Sequence, residues 1–371
     1  MNTRAEPLEP RLRGAARRTL TGLNPALESL LAGGVGLLVG AILMWIWGYD
    51  PWKAYVALFQ GAYGDSYGFA SAIARGVPLV LTALTFSICM RAGMFNIGAE
   101  GQVYMGAIAA VTVGYFSLPA GLHLVVGLVF AMVAGGLWSL IPALLKTLRG
   151  VHEVISTIMF NWISHFLAFF LVANILVDPI HAQRTISVPM TARFPILMRG
   201  TDLSYSLFAA VAFAVIIYFV LWHTVTGYEV RAAGLNPTAA RYGGIKNRRT
   251  MLLSFILGGL GAGLAGATIV MGNPPTYAVI SGLPQIANIG FDGMAVAMVG
   301  RNHPIGILIA AIFFGGLTAG GRMMQMTAGV PLEMVRVVEG VIVIAMAIPE
   351  LLRVFRILRT GVQKLLRRKT A

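Results

Sequence analysis

Residues 96–101 read Asn-Ile-Gly-Ala-Glu-Gly, and residues 288–293 read Asn-Ile-Gly-Phe-Asp-Gly. Both segments sit in apolar surroundings, where a charged side chain costs about 2.5–3.5 kcal/mol at the bilayer centre on insertion scales. Acidic residues placed there face a cavity or a partner. One reading lines a polar pathway with Asn96, Glu100, Gln102, Asn288 and Asp292. Another makes Glu100 and Asp292 structural, paired with Arg75 or Arg336. Asn161-Trp162 is a further pathway candidate, since an indole stacks on flat ligands; it is equally a packing or lipid-facing residue. Glu153 and Glu339 fit an interface.

No spacing argues for catalysis. There is no GxxxxGK[ST] phosphate loop, and His152-Glu153 lacks the second histidine of a zinc-protease helix. The single cysteine, Cys89, permits neither an internal disulfide nor a metal cluster.

The elements that position these residues are membrane helices. Hydrophobic residues make up 57% of 371 positions and charged ones 11%, against about 25% charged in a soluble domain. About 20 apolar residues span a bilayer as a helix. Such blocks occur at 26–47, 70–90, 97–116, 122–145, 154–177, 203–222, 251–271, 284–300, 304–320 and 334–352, so the sequence predicts an all-α integral membrane protein of about ten spans. Gly258 with Ala262 and Gly259 with Gly263 supply small-xxx-small faces for close helix packing.

The net charge of +14 could point to nucleic acid, but its distribution excludes that partner. Basic residues cluster in the leader (Arg4, Arg11, Arg13, Arg17, Arg18), in the 223–250 loop (Arg231, Arg241, Lys246, Arg248, Arg249) and in the tail. The positive-inside rule then places both termini and that loop in the cytoplasm. The expected organisation is a basic leader at 1–25, one transmembrane domain at 26–355 and a basic tail at 356–371. The first apolar block is too long for a signal peptide, and Trp45-Ile46-Trp47 replaces the small residues of a cleavage site.

The two motifs share the pattern N-I-G-x-acid-G, and they lie in the third and eighth spans, an offset of five. An odd number is what an inverted-topology repeat requires, and such repeats set interrupted helices and binding sites near the midplane. A five-plus-five inverted repeat is therefore expected.

The 223–250 loop carries its own structure. Asn236-Pro237 reads as an N-cap followed by proline at the first helical position. The helix covers 238–242 and ends at Gly243, expected in the left-handed region. A preceding turn at 229–233 ends at Gly234. This is either an interfacial helix resting on lipid or a docking surface for a cytoplasmic partner.

At these residues a family comes into view. The run GYEVRAAGLNPTAARYGGI at 227–245 resembles the coupling segment of ABC-importer permeases for ribose, related sugars and nucleosides. MRAGMFNIGAEGQVYMGA at 90–107 and NIGFDGMAVAMVGRNHPIGILIAA at 288–311 are similar to the nucleoside and simple-sugar branch. The resemblance covers about 25–355. It implies a permease subunit in a bacterial inner membrane that pairs with a second, related permease. It further implies a cytoplasmic ABC ATPase and an extracytoplasmic substrate-binding lipoprotein. ATP would be used by the ATPase, with no cofactor bound by this chain. Alternating access would move a nucleoside or simple sugar. The coupling positions carried over are Glu229, Arg231, Gly234, Asn236, Ala239, Ala240, Tyr242 and Gly243; Asn96, Glu100, Gln102, Asn288 and Asp292 carry over to the pathway. Two rivals stand beside it: a secondary transporter using Glu100 and Asp292 as proton relays, and an intramembrane enzyme.

Overall fold

A computed structural model describes residues 25–345; the leader before residue 25 and the tail 356–371 lie outside the described residues. The described chain is helical, with only isolated β-bridges besides. Helices α1 (Pro25–Ile46), α2 (Pro51–Tyr63), α3 (Ser66–Arg91) and α4 (Ala99–Thr112) come first. Then follow α5 (Leu122–Arg149) and α6 (Glu153–Phe170), which runs on as a π turn to Ile175. After a long irregular segment come α7 (Ser206–His223), α8 (Val225–Leu235), α9 (Pro237–Tyr242) and α10 (Asn247–Gly272). The last are α11 (Ile289–Val299), α12 (Pro304–Ala328) and α13, helical over 333–345.

Contacts divide the chain into two units. One spans Met44–Arg336; the other combines the segments up to Leu43 and from Val337 onward, in which Gly36 of α1 lets Ile342 of α13 pack directly on its backbone.

Among the described residues, six helices are long and apolar enough to cross a membrane: α3, α5, α6 with its π turn, α7, α10 and α12. The blocks at 97–116 and 284–300, expected as full spans, are shorter helices. Their 14 and 11 residues reach roughly 21 and 17 Å, short of a hydrocarbon core of about 30 Å. The reason is local. In the second block the residues before the motif's Ile289 are not helical, so α11 starts five residues in; in the first, α4 starts at Ala99 and gives way after Thr112 to a 3-10 turn at Val113–Tyr115.

In the larger unit, α3 and α10 form the centre, with 72% and 78% of their apolar windows buried. Helix α10 packs on α3, α4 and α5, and α12 packs on α2 and α3. The α5–α10 crossing depends on the missing β-carbons of Gly135, Gly259 and Gly263. A β-carbon on Gly263 would overlap the Ala131 carbonyl, and one on Gly135 would overlap that of Gly259. Gly259 and Gly263 are one of the small-xxx-small pairs seen in the sequence.

Helix α2 lies between the first two apolar blocks, 26–47 and 70–90, where the sequence predicts no span. Asp50 caps it by accepting from Trp52 N (3.0 Å) and Lys53 N (3.2 Å), with Pro51 in the first turn. Its buried face, Ala54, Ala57, Leu58 and Ala62, lies against α12.

The long α6–α7 segment is tied to the last turn of α10 and the segment after it. Thr185 N donates to Val279 O (2.9 Å), Val188 N to Tyr277 O (2.7 Å), and Phe194 N to Met271 O (2.9 Å). The Arg193 guanidinium lies 4.2 Å from the Tyr277 ring centroid. Buried His123 fastens this cap to the helices, through Thr191 Oγ1 (2.8 Å) and Val113 O (2.9 Å). The cap and α8 lie at opposite ends of α7.

Candidate functional site

The two motifs meet. Glu100, in the first turn of α4, reaches the start of α11. Its Oε1 accepts from Asn288 N (2.7 Å), and its Oε2 accepts from Gly290 N (2.7 Å). The Tyr104 hydroxyl donates to Oε1 (2.9 Å). The carboxylate thus satisfies otherwise orphaned N–H groups at the positive end of the α11 dipole. Asn288 adopts φ +71°, a conformation asparagine tolerates, and a β-carbon on Gly290 would overlap the Glu100 backbone.

Asn161 of α6 holds the first motif from the other side. Its Oδ1 accepts from Gly101 N (2.9 Å), and its Nδ2 donates to Ile97 O (2.9 Å). Asn96 Oδ1 accepts from Gly98 N (2.9 Å), closing a local turn before α4. The expected pathway residues therefore divide. Asn96, Glu100, Gln102 and Asn161 are buried within the chain, while Asn288 and Trp162 are exposed and Asp292 partly so. Gln102 Oε1 is buried without a hydrogen-bond partner among the described residues.

The expected ion pairs form differently. Arg75 pairs with Asp202 (3.4 Å), and Glu153 with Lys146 (2.8 Å). Glu100 is held by backbone N–H groups instead, and Asp292 lies within electrostatic reach of Arg336.

The 223–250 loop forms two helices. Asn236 Oδ1 caps α9 by accepting from Thr238 N and Ala239 N, both at 3.0 Å. Two details depart from the sequence reading. Helix α8 continues through Gly234 to Leu235, because a β-carbon there would overlap the Arg91 carbonyl; glycine serves close packing and does not end the helix. Gly243 has φ −76°, and the left-handed residue is Gly244 at +83°. Ala240 is 6% exposed and packs inward, whereas Leu235 is 88% and Tyr242 91% exposed. Ala239 and Gly243 are exposed as well.

Helix α8 is clamped to both motif segments. Gly234 abuts Arg91 and Gly93, just before the first motif. Arg91 Nε donates to Asn302 O (3.1 Å), just after α11. Arg91 and Arg231 both lie over the Trp222 ring, at 5.4 and 5.9 Å. His303 packs on Trp222 (4.9 Å between ring centroids). Burial and the Arg91 charge hold its imidazole below the ordinary range, favouring the neutral form.

A family model described as the permease component of the branched-chain amino acid transport system matches residues 68–347. The guanosine ABC transporter permease protein NupP of Bacillus subtilis is 38% identical over 331 residues, covering 88% of this chain and 94% of that one. The nucleoside ABC transporter permease protein NupB of Lactococcus lactis is 36% identical, covering 88% and 92%. A glucose ABC transporter permease protein of Haloferax volcanii is 30% identical, covering 90% and 89%. The chain belongs to this permease family. It is a multi-pass membrane protein.

Within this permease, the sequence reading missed Tyr104, Arg91 and Trp222. Tyr104 stands four residues after Glu100, a spacing that places both on one helix face, and that signal was readable. The Arg91–Trp222 contact joins residues far apart in sequence and left no local signal.

Proposed function

We propose that this chain is the transmembrane permease subunit of an ATP-driven ABC importer for a nucleoside or a simple sugar. The observation that carries the reading is nearly full-length similarity to permeases whose names specify guanosine, nucleosides and glucose. Bacillus subtilis and Lactococcus lactis each have a second, different permease similar to this chain, NupQ and NupC. That supports a related but distinct permease as partner. A cytoplasmic ATPase and an extracytoplasmic binding lipoprotein complete the importer, and ATP is used by the ATPase.

In this reading the membrane is crossed ten times. The six long helices are joined by α1 and α13 and by the interrupted α4 and α11. The element order supports an inverted repeat: a long buried helix (α3 or α10), a motif with its short helix (α4 or α11), then a long helix (α5 or α12). Directions support it too. The two short helices start together at Glu100. Then α4 ends beside His123 and the cap, while α11 ends beside Arg91 and α8.

The coupling segment is α8–α9, at the cytoplasmic end. The exposed Leu235, Ala239, Tyr242 and Gly243 form the docking face for the ATPase, while Gly227, Val230, Ala233 and Ala240 fix the helices to the permease. Glu229, Arg231, Gly234 and Asn236 shape the segment. ATP-driven closure of the ATPase pushes α8. Through Gly234, Arg231 and Arg91 that push reaches the segments flanking both motifs. Glu100, already accepting three hydrogen bonds, is poorly suited to relay protons in a secondary transporter.

The test is reconstitution. The permease pair, the ATPase and the binding protein in proteoliposomes take up guanosine or a simple sugar only with ATP inside. ATP-independent uptake driven by a pH gradient refutes the reading.

A further inference from the structure

Three aromatic side chains occupy the middle of α6. Trp162 and Phe166 are near-parallel (26°) with ring centroids 6.0 Å apart, and His165 meets both edge-on at 6.0 and 5.5 Å. Behind them, the Tyr104 ring lies 5.4 Å from His165, and its hydroxyl holds Glu100. Trp162 is 61% exposed, Phe166 is exposed and His165 half-buried.

Their depth is unusual. Trp162 is the tenth of 23 residues in this span, roughly 14 Å along the helix axis, near the midplane of a bilayer core of about 30 Å. Membrane tryptophans concentrate at the two interfaces, where the indole N–H meets water. Among the described residues, neither the Trp162 indole nor the His165 imidazole has a hydrogen-bond partner. Acyl chains offer none, and an unsatisfied polar group in hydrocarbon costs several kcal/mol. Whatever covers this face therefore presents both a flat apolar surface and polar atoms.

The neighbourhood narrows the occupant. Asn161, one residue before Trp162, holds the start of α4, and Glu100 joins that start to the start of α11. The trio thus stands within about a helical turn of the point where both interrupted helices begin, the usual place for a substrate in a repeat-built transporter. A nucleobase has a π face for Trp162 and Phe166 and a polar edge for His165. A simple sugar lacks the π face.

We infer that Trp162, His165 and Phe166 form a stacking platform that receives the base of a nucleoside during its passage. The inference rests on the importer reading and deepens it toward nucleosides.

The test uses the reconstituted importer, with guanosine and D-ribose as probes. Guanosine uptake by the unaltered importer checks the importer reading by itself. Given that uptake, Trp162→Ala lowers it on the order of tenfold, the scale of one lost aromatic–base stack, while Trp162→Phe keeps most of it. His165→Gln raises the guanosine concentration for half-maximal uptake. The partner permease and ATPase co-purify at normal yield with each variant. Uptake lost together with the partner permease makes this face a permease–permease contact and overturns the inference. Unchanged uptake with Trp162→Ala makes it a lipid face and also overturns it. So does D-ribose uptake by the unaltered importer without guanosine uptake, which leaves the importer reading standing for sugars.

Discussion

Glu100 and Asp292 occupy matched motif positions yet have different surroundings. Three donors converge on the buried Glu100 carboxylate, two of them backbone N–H groups of the opposite motif. In Glu100→Gln the new NH2 group points at an N–H donor, and one buried donor loses its acceptor. Such a loss costs about 1–3 kcal/mol. A lower melting temperature of the purified permease in detergent and a lower yield are expected. The Asp292 carboxylate, partly exposed, accepts no hydrogen bond among the described residues and lies only within electrostatic reach of Arg336, so Asp292→Asn lowers the melting temperature less than Glu100→Gln does while reducing uptake. Equal thermal stability of the two variants would remove the distinction. The sequence exposed both acids through their repeated motif. It could not separate them, because what distinguishes them is contact between residues 188 positions or more apart. Asn161 shows the same limit: its amide braces the first motif from another helix.

The elements were legible where a cap or a period marked them. Asn236-Pro237 announces α9, and the same logic at Asp50-Pro51 would have announced α2 in a segment too short to read as a span. Gly234 was misread because a glycine that ends a helix and one that admits a neighbouring backbone look alike in sequence. Its packing gives a prediction. Gly234→Val drives a branched side chain into the Arg91 carbonyl and the backbone at Gly93, separating α8 from α3 without touching the exposed Leu235 and Tyr242. The ATPase should still co-purify, while ATP-driven uptake falls severalfold. The paired variant Leu235→Asp with Tyr242→Asp should do the reverse at the first step. It places two charges on the exposed apolar face, so the ATPase is lost on purification while the melting temperature of the permease is kept. Retention of the ATPase by the double variant would argue that α8–α9 rests on lipid.

At the scale of the whole molecule, the charge pattern and the paired motifs imply a sidedness that the packing makes testable. In the proposed inverted repeat, α4 and α11 leave a common starting point in opposite directions, and their far ends would then belong to opposite faces of the membrane. Cys89, the chain's single cysteine, is buried, so introduced cysteines report on their own sites. Lys246 on the α9–α10 connection and Arg301 at the end of α11 are exposed at the α8 end. Tyr115, just past α4, and Met190 in the cap are exposed at the other end. In intact cells, a membrane-impermeant thiol reagent should label Tyr115→Cys and Met190→Cys. Lys246→Cys and Arg301→Cys should react only after the membrane is opened. External labelling of Lys246→Cys would reverse the orientation drawn from the basic residues. Labelling of Arg301→Cys and Tyr115→Cys from the same side would refute the inversion of the two halves, because two helices that diverge from one buried carboxylate cannot then end on opposite faces.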